Sequence, residues 1–314
     1  MPFLVTTTQA FWVFDDISRQ AYRIDEGNGV YYGLTHDEDG RIFVGARRCP
    51  YGVDRAGRAA QSGTILVFDP DLSRSGELRP PFPLRDLHQI YAFDGKLWVC
   101  ATHDNMIAVY DLQGESWEPW YPFGEATDPE DTDRHHINSV WADGDEIFLV
   151  GHSGTAGCVH VFDRSSLAHR RTENFGTYAH NVWREGGALN VLSSLEGYIA
   201  AEDGRRRPVS PGNFVRGAVV TDRHLYIGVS QNVNRAERGK GSCEVVKLDP
   251  AGNTLNIFGL SGYGMVHDLR CPGVRDAAHP AADGPALDPM CLNRFPAVPL
   301  RRRTIPIVAA AAAD

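Results

Sequence analysis

One phrase recurs along the chain and limits what it can fold into: an apolar alternating run ending in an aromatic residue or leucine, then aspartate. It stands as FWVFD ending at Asp15, ILVFD at Asp69, IAVYD at Asp111, VHVFD at Asp163, a degenerate YIAAED at Asp203, and EVVKLD at Asp249. Successive copies lie 54, 42, 52, 40 and 46 residues apart. Alternation marks a strand with one buried face. A period of about 47 residues built from short strands is the signature of propeller blades.

The rest of each unit repeats as well. A second strand precedes each later copy: RIFVGA (41–46), KLWVCA (96–101), EIFLVG (146–151), ALNVLS (188–193) and HLYIGV (224–229). Tight acidic or glycine turns (DEDG, FDG, ADGD, REGG, TDR) join these to a further strand upstream: VYYGL, LHQIYA, INSVWA, HNVWR and VRGAVV. Such turns between alternating runs read as hairpins. A ragged fourth strand follows the aspartate, as in SWEPWYPF and NTLNIFG. The first unit starts at its second strand, PFLVTTT, and Gly264–Arg270 (GMVHDLR) is an innermost strand with nothing after it. Pairing these two closes a ring without free edges. The expectation is an all-β, six-bladed β-propeller over residues 1–270, with 271–314 a tail packing on it. An open β-sandwich leaves the complementary orphan strands unexplained.

Composition narrows the partners. The chain has 314 residues, 31 Lys and Arg against 40 Asp and Glu, and a net charge of −9. With no long basic run, nucleic acid and anionic membranes are not expected partners. The VAAAAAD end is too short for a membrane span. MPFLVTTTQAFWVFDD lacks the basic region and cleavage site of a signal peptide, so a cytoplasmic location is expected. The six cysteines form no CxxC pair, which argues against a sulfur-ligated zinc site.

Loop lengths single out one face. The turns between first and second strands are all tight. The long loops 46–63, 151–157 and 230–241 follow second strands, and 122–136 lies on the same side. Loops on a rigid scaffold carry function, so this face and the axis behind it are the expected site. Asp37–Asp39 and Asp128–Asp133 read as solvated turns, with a calcium loop as their weaker alternative.

Aligning the blades puts Tyr32 (or Gly33), His88, Asn138, His180, Arg216 and His267 at one axis-facing position of the innermost strands. His136, two residues before Asn138, points the same way. His88, His180 and His267 come from alternate blades, about 120° apart, and converge as a facial tripod for a divalent metal ion. Zinc suits such ligation best; iron, manganese and copper also accept it. The plainer alternative is a polar channel whose histidines are merely hydrogen-bonded. Arg216 is placed to hold a substrate anion bidentately, and Tyr32 or His136 to move a proton. Asn138, His103 and His152 are further candidates for contact with substrate. No GxSxG elbow, P-loop or dinucleotide fingerprint is present.

Two families share features with these residues. The tripod His88, His180 and His267, with Arg216 and Tyr32 between, resembles peptide-amidating lyase, a six-bladed propeller with three channel histidines on zinc. His136-Ile137-Asn138-Ser139 is similar to the HxNS segment of bacterial arylsulfate sulfotransferases, where channel histidines take up a sulfuryl group without metal. The blades lack the usual repeat phrasing of the first family. The following-strand arginine of the second is replaced here by Gly151-His152-Ser153. The expected function is metal-dependent lyase, hydrolase or isomerase chemistry on a small, polar, anionic molecule. Metal-free sulfuryl transfer and a non-enzymatic, protein-binding propeller are the alternatives.

Overall fold

The computed structural model of the chain describes residues 2–49, 56–57, 60–125, 132–234, 237–280 and 284–302. Parts of the long loops (50–55, 58–59, 126–131, 235–236), three tail residues (281–283) and the end from 303 lie outside them. So does most of the candidate calcium loop at Asp128–Asp133.

Six antiparallel sheets form the ring, each built on a blade of four strands ordered from the axis outward. Blade one is closed as the orphan strands require. Its innermost strand, Val266–Arg270, pairs with Pro2–Thr7 at the other end of the chain, followed by Ala10–Asp15 and Gln20–Glu26. The other innermost strands are Tyr31–His36, Leu87–Phe93, Ser139–Asp143, Ala179–Glu185 and Phe214–Val220. The aspartate phrase is the third strand of every blade. Its apolar residues and those of the second strand face neighbouring blades: Trp12, Phe14 and Phe3 pack with Tyr226 and Phe258, and Phe148 and Val161 with Tyr91 and Ile107. Each large side chain fully buried in this way contributes roughly 1.5–3 kcal/mol.

Adjacent blades are also tied by polar bonds near the axis. A side-chain oxygen of one blade accepts a backbone N–H from the next at every junction. Asp268 takes Leu34, Thr35 takes Ala92, and Gln89 takes Val140. Ser139 takes Asn181, Asn181 takes Gly217, and Ser230 takes Val266. These bonds satisfy buried amides that no sheet ladder reaches.

The tail has a more definite course than its aperiodic sequence suggests. Asp276 accepts from the amides of Val220 and Ala278 at 2.7 and 2.9 Å, and Ala277 donates to the Val220 carbonyl. Leu287 and Leu292 then join Phe11, Leu66 and Phe68 in a buried cluster. Finally Ala297–Pro299 adds a fifth strand to blade one, and Arg301–Arg302 one to blade six. No helix among the described residues is long and apolar enough to cross a membrane.

Candidate active site

The innermost strands are irregular where they meet the axis. Register shifts interrupt their pairing between Tyr31 and Leu34, Leu87 and Ile90, His180 and Val182, Val215 and Ala218, and opposite Thr6 and Thr7 in blade one. Such bulges re-aim side chains and break strict alternation. Two successive residues of one strand therefore face inward. A small cavity of about 10 Å³ is lined by Tyr32 and Gly33, His88 and Gln89, Asn138 and Ser139, His180 and Asn181, Arg216, and His267 and Asp268. That is room for about one water molecule. The lower member of most pairs makes the blade-to-blade bond; the upper member faces the chemistry.

All three tripod histidines are buried, at 5, 3 and 4% exposure for His88, His180 and His267. Each has its outer nitrogen fixed. His88 Nδ1 lies 2.8 Å from the Asp86 carbonyl and 2.6 Å from Thr102 Oγ1. Thr102 donates to the Ile137 carbonyl, so its oxygen accepts from His88, and the proton sits on Nδ1. Arg47 Nη2, 3.2 Å from the same nitrogen, is outvoted by these two acceptors. His180 repeats the device, with Nδ1 2.8 Å from the Tyr178 carbonyl and 2.9 Å from Ser194 Oγ. Asp86 and Tyr178 have left-handed backbones (φ 51° and 48°), the conformation that turns these carbonyls back toward the rings. His267 is reversed: Nε2 meets Thr8 Oγ1 at 3.2 Å and Nδ1 faces inward.

Arg216 occupies the place where the inner nitrogens converge. It donates to His180 Nε2 at 2.6 Å and to His267 Nδ1 at 3.1 Å. Those two imidazoles must be neutral to accept. Burial lowers all three histidines well below the ordinary value, helped by Arg47 at His88 and by Arg216 at His180 and His267. Tyr32 stacks on His267 (4.0 Å) and under the Arg47 guanidinium (3.6 Å), which pairs with Asp86 at 2.6 Å.

A second layer lies toward the loop-bearing face. His136 meets the His88 ring edge-on at 5.2 Å and lies against His152 at 4.1 Å, and His152 against Tyr178 at 4.6 Å. Burial, then His136, lowers His152 to about 3. Among the described residues, His136 has a carboxylate on its ring, with Nδ1 2.7 Å from Asp133 Oδ1. Its own φ is +41°, a strained value for a residue with a side chain. The opposite end of the channel is filled. Arg270, 1% exposed, donates to Asp268 Oδ1 at 2.7 Å and reaches the Ile90 carbonyl.

The structure thus gathers Tyr32, His88, His136, Asn138, His152, His180, Arg216 and His267 around one axis. Asn138 is committed to the scaffold, donating to the Ala179 carbonyl and accepting from Ser139. His103 sits buried on the 3-10 turn Thr102–Asp104, with no ring contact to the cluster among those of the described residues. Among the described residues no three His, Cys, Asp or Glu side chains are placed as a metal-holding group. Sequence reasoning passed over Arg47, Asp86 and Arg238, and read Asp133 only as part of a solvated turn. Arg47 and Asp86 adjoin strands whose register the repeat does fix; Asp133 and Arg238 lie in loops with no pattern to read.

No known protein family matches the sequence, and no curated protein does. Solved structures match its shape. A chain of a nidogen/laminin complex aligns with TM-score 0.61 at 10% identity, covering 85% of this chain and 97% of that one. A protein of unknown function from Bacteroides caccae aligns at 0.56 and 14% over the same shares. Virginiamycin B lyase from Staphylococcus aureus aligns at 0.45 and 12%, over 76% and 94%. At these identities the first two show a likeness of fold alone, and a propeller fold hosts enzymes and binding proteins alike.

Proposed function

We propose that the chain is an enzyme acting in its axial channel on a small anionic molecule, by proton-transfer chemistry of the lyase, hydrolase or isomerase kind. The observation that carries this reading is Arg216 at the point of convergence, bonded to two neutral imidazoles. Its planar fork of donors, standing on the axis where a ligand would enter, matches the geometry of an oxyanion. An incoming carboxylate, sulfate or phosphate is the natural partner. His136, its ring oriented by Asp133, is the group best built to carry a proton. Tyr32, clamped between Arg47 and His267, forms the wall on which the substrate rests.

A metal-assisted form of the same reading is favoured by one observation. The outer nitrogens of His88, His180 and His267 are all fixed by carbonyl or hydroxyl groups, the arrangement that presets imidazoles for a metal. These three would hold a divalent ion, most simply zinc, once Arg216 turns to the substrate. The ion would supply Lewis-acid polarisation of a substrate oxygen.

Titration calorimetry with acetate and sulfate tests the anion site. Binding to the wild type that is lost in Arg216→Leu is the expected result, and no binding to either protein sinks the proposal. Elemental analysis of protein purified without a metal column separates the two forms: one equivalent of metal is expected for the second, and none defeats it. An intact mass raised by one sulfuryl group after incubation with an aryl sulfate would favour the transferase alternative instead.

A further inference from the structure

His88 differs from its two counterparts in what its inner nitrogen meets. Arg216 donates to His180 Nε2 and to His267 Nδ1, so those two lone pairs are occupied. The His88 ring is set by its outer nitrogen. Nδ1 carries the proton and donates to the Asp86 carbonyl at 2.8 Å and to Thr102 Oγ1 at 2.6 Å. Nε2 is then a bare acceptor, and among the described residues no donor bonds to it. His88 is 5% exposed, and it lines the axial cavity together with Arg216.

A buried acceptor without a donor is costly, and folded proteins rarely keep one that nothing fills. The cavity has room for about one water molecule. One ligand oxygen entering it therefore lies against the His88 ring and the Arg216 fork alike. An oxygen stripped of hydrogen would set its lone pair against that of Nε2, whereas an O–H donates to it. The ring is held to the accepting role, because burial and the Arg47 guanidinium, 3.2 Å from Nδ1, oppose a second proton. We propose that the channel selects an anionic molecule carrying a hydrogen on the oxygen that enters the axis, with His88 Nε2 as the specificity-determining acceptor. This rests on the anion-binding reading of the channel in its metal-free form. A protonated phosphate meets the requirement, as does a carboxylate with a hydroxyl beside it; a sulfate and a plain carboxylate do not.

Titration calorimetry on the full chain compares phosphate with sulfate, and glycolate with acetate, at neutral pH. The wild type is expected to bind the hydrogen-bearing member of a pair about tenfold more tightly, the scale of one added hydrogen bond. A preference within the first pair identifies a phosphate, and one within the second a hydroxy acid. His88→Phe, which keeps a ring and removes the acceptor, should bring the pair to equal affinity. Methyl phosphate asks the same question without a substitution, should that variant fail to fold. It sheds its last hydrogen near about pH 6, whereas inorganic phosphate gains the same charge and keeps one. Between about pH 5.5 and 7.5 methyl phosphate should therefore lose about tenfold in affinity relative to inorganic phosphate. Equal affinity within both pairs, or a preference that survives in His88→Phe, refutes the acceptor and leaves the anion site standing. Binding that requires added zinc gives the lone pair to a metal ion and refutes it too. If no probe binds, with or without zinc, the anion site itself is refuted.

Discussion

Gly33 shows how little room a single position near the axis has. A methyl group there would stand 2.4 Å from both the His88 carbonyl oxygen and the Ile90 nitrogen, backbone atoms of the next blade that cannot step aside. Gly76, on an outer strand, would meet nothing within 4 Å. Gly33→Ala should therefore cost on the order of 3 kcal/mol, and Gly76→Ala less than about 0.5 kcal/mol; urea denaturation of the pair checks this, and equal midpoints would refute it. Asp133 makes a different residue-scale prediction. Asp133→Asn preserves shape but removes the carboxylate that orients the His136 ring. Turnover should fall by about 10²-fold or more, with KM little changed and melting unaltered. A matching loss in KM alone would make Asp133 a binding residue instead.

At the scale of elements, closure and reinforcement are separable. Val266–Arg270 completes blade one, whereas 297–302 only adds outer strands to blades already closed. Truncation after residue 294 should leave a soluble, folded protein with a lower melting temperature. Truncation after residue 261 should expose the edge of Pro2–Thr7 and aggregate. Light scattering and thermal melts of both distinguish them, and a soluble, cooperative 261-residue form would contradict the closure. The same contrast explains what the sequence reveals. Blade strands are legible because alternation and the aspartate phrase recur, and that register alone brings His88, His180, Arg216 and His267 to one level. Strands of two or three residues on an edge, such as Ala297–Pro299, have no period to detect. Bulges are equally silent, since His88-Gln89 and Arg216-Gly217 read as ordinary strand residues until their pairing is seen. Asp133 carries no signal beyond a turn-like loop, because its meaning depends on the left-handed turn that carries His136 back to it.

For the whole molecule, buried neutral histidines set the response to acid. His36 and His160 are held to about 4 and His152 to about 3, in each case chiefly by burial, against 6.5 when unfolded. Unfolding therefore takes up protons below pH 6.5. The stability these rings contribute is complete above that value and drains away as pH falls toward 4 and 3. Glu77 acts in a lower window: burial pushes it up, but bonds from Arg79, Thr64 and Arg48 hold it at about 2, so its contribution persists until pH drops below 4.5. Denaturant midpoints should fall between pH 6.5 and 5, before Glu77 begins to matter, and a flat profile there would contradict the burial of these rings. The filled floor has a further consequence for traffic. With Arg270 and Asp268 plugging one end of the axis, a molecule that enters must leave as it came. Whatever is held inside blocks the next arrival until it departs. For the enzyme proposed above, such a cul-de-sac makes product a competitor for the empty channel and puts exit in control of the turnover rate.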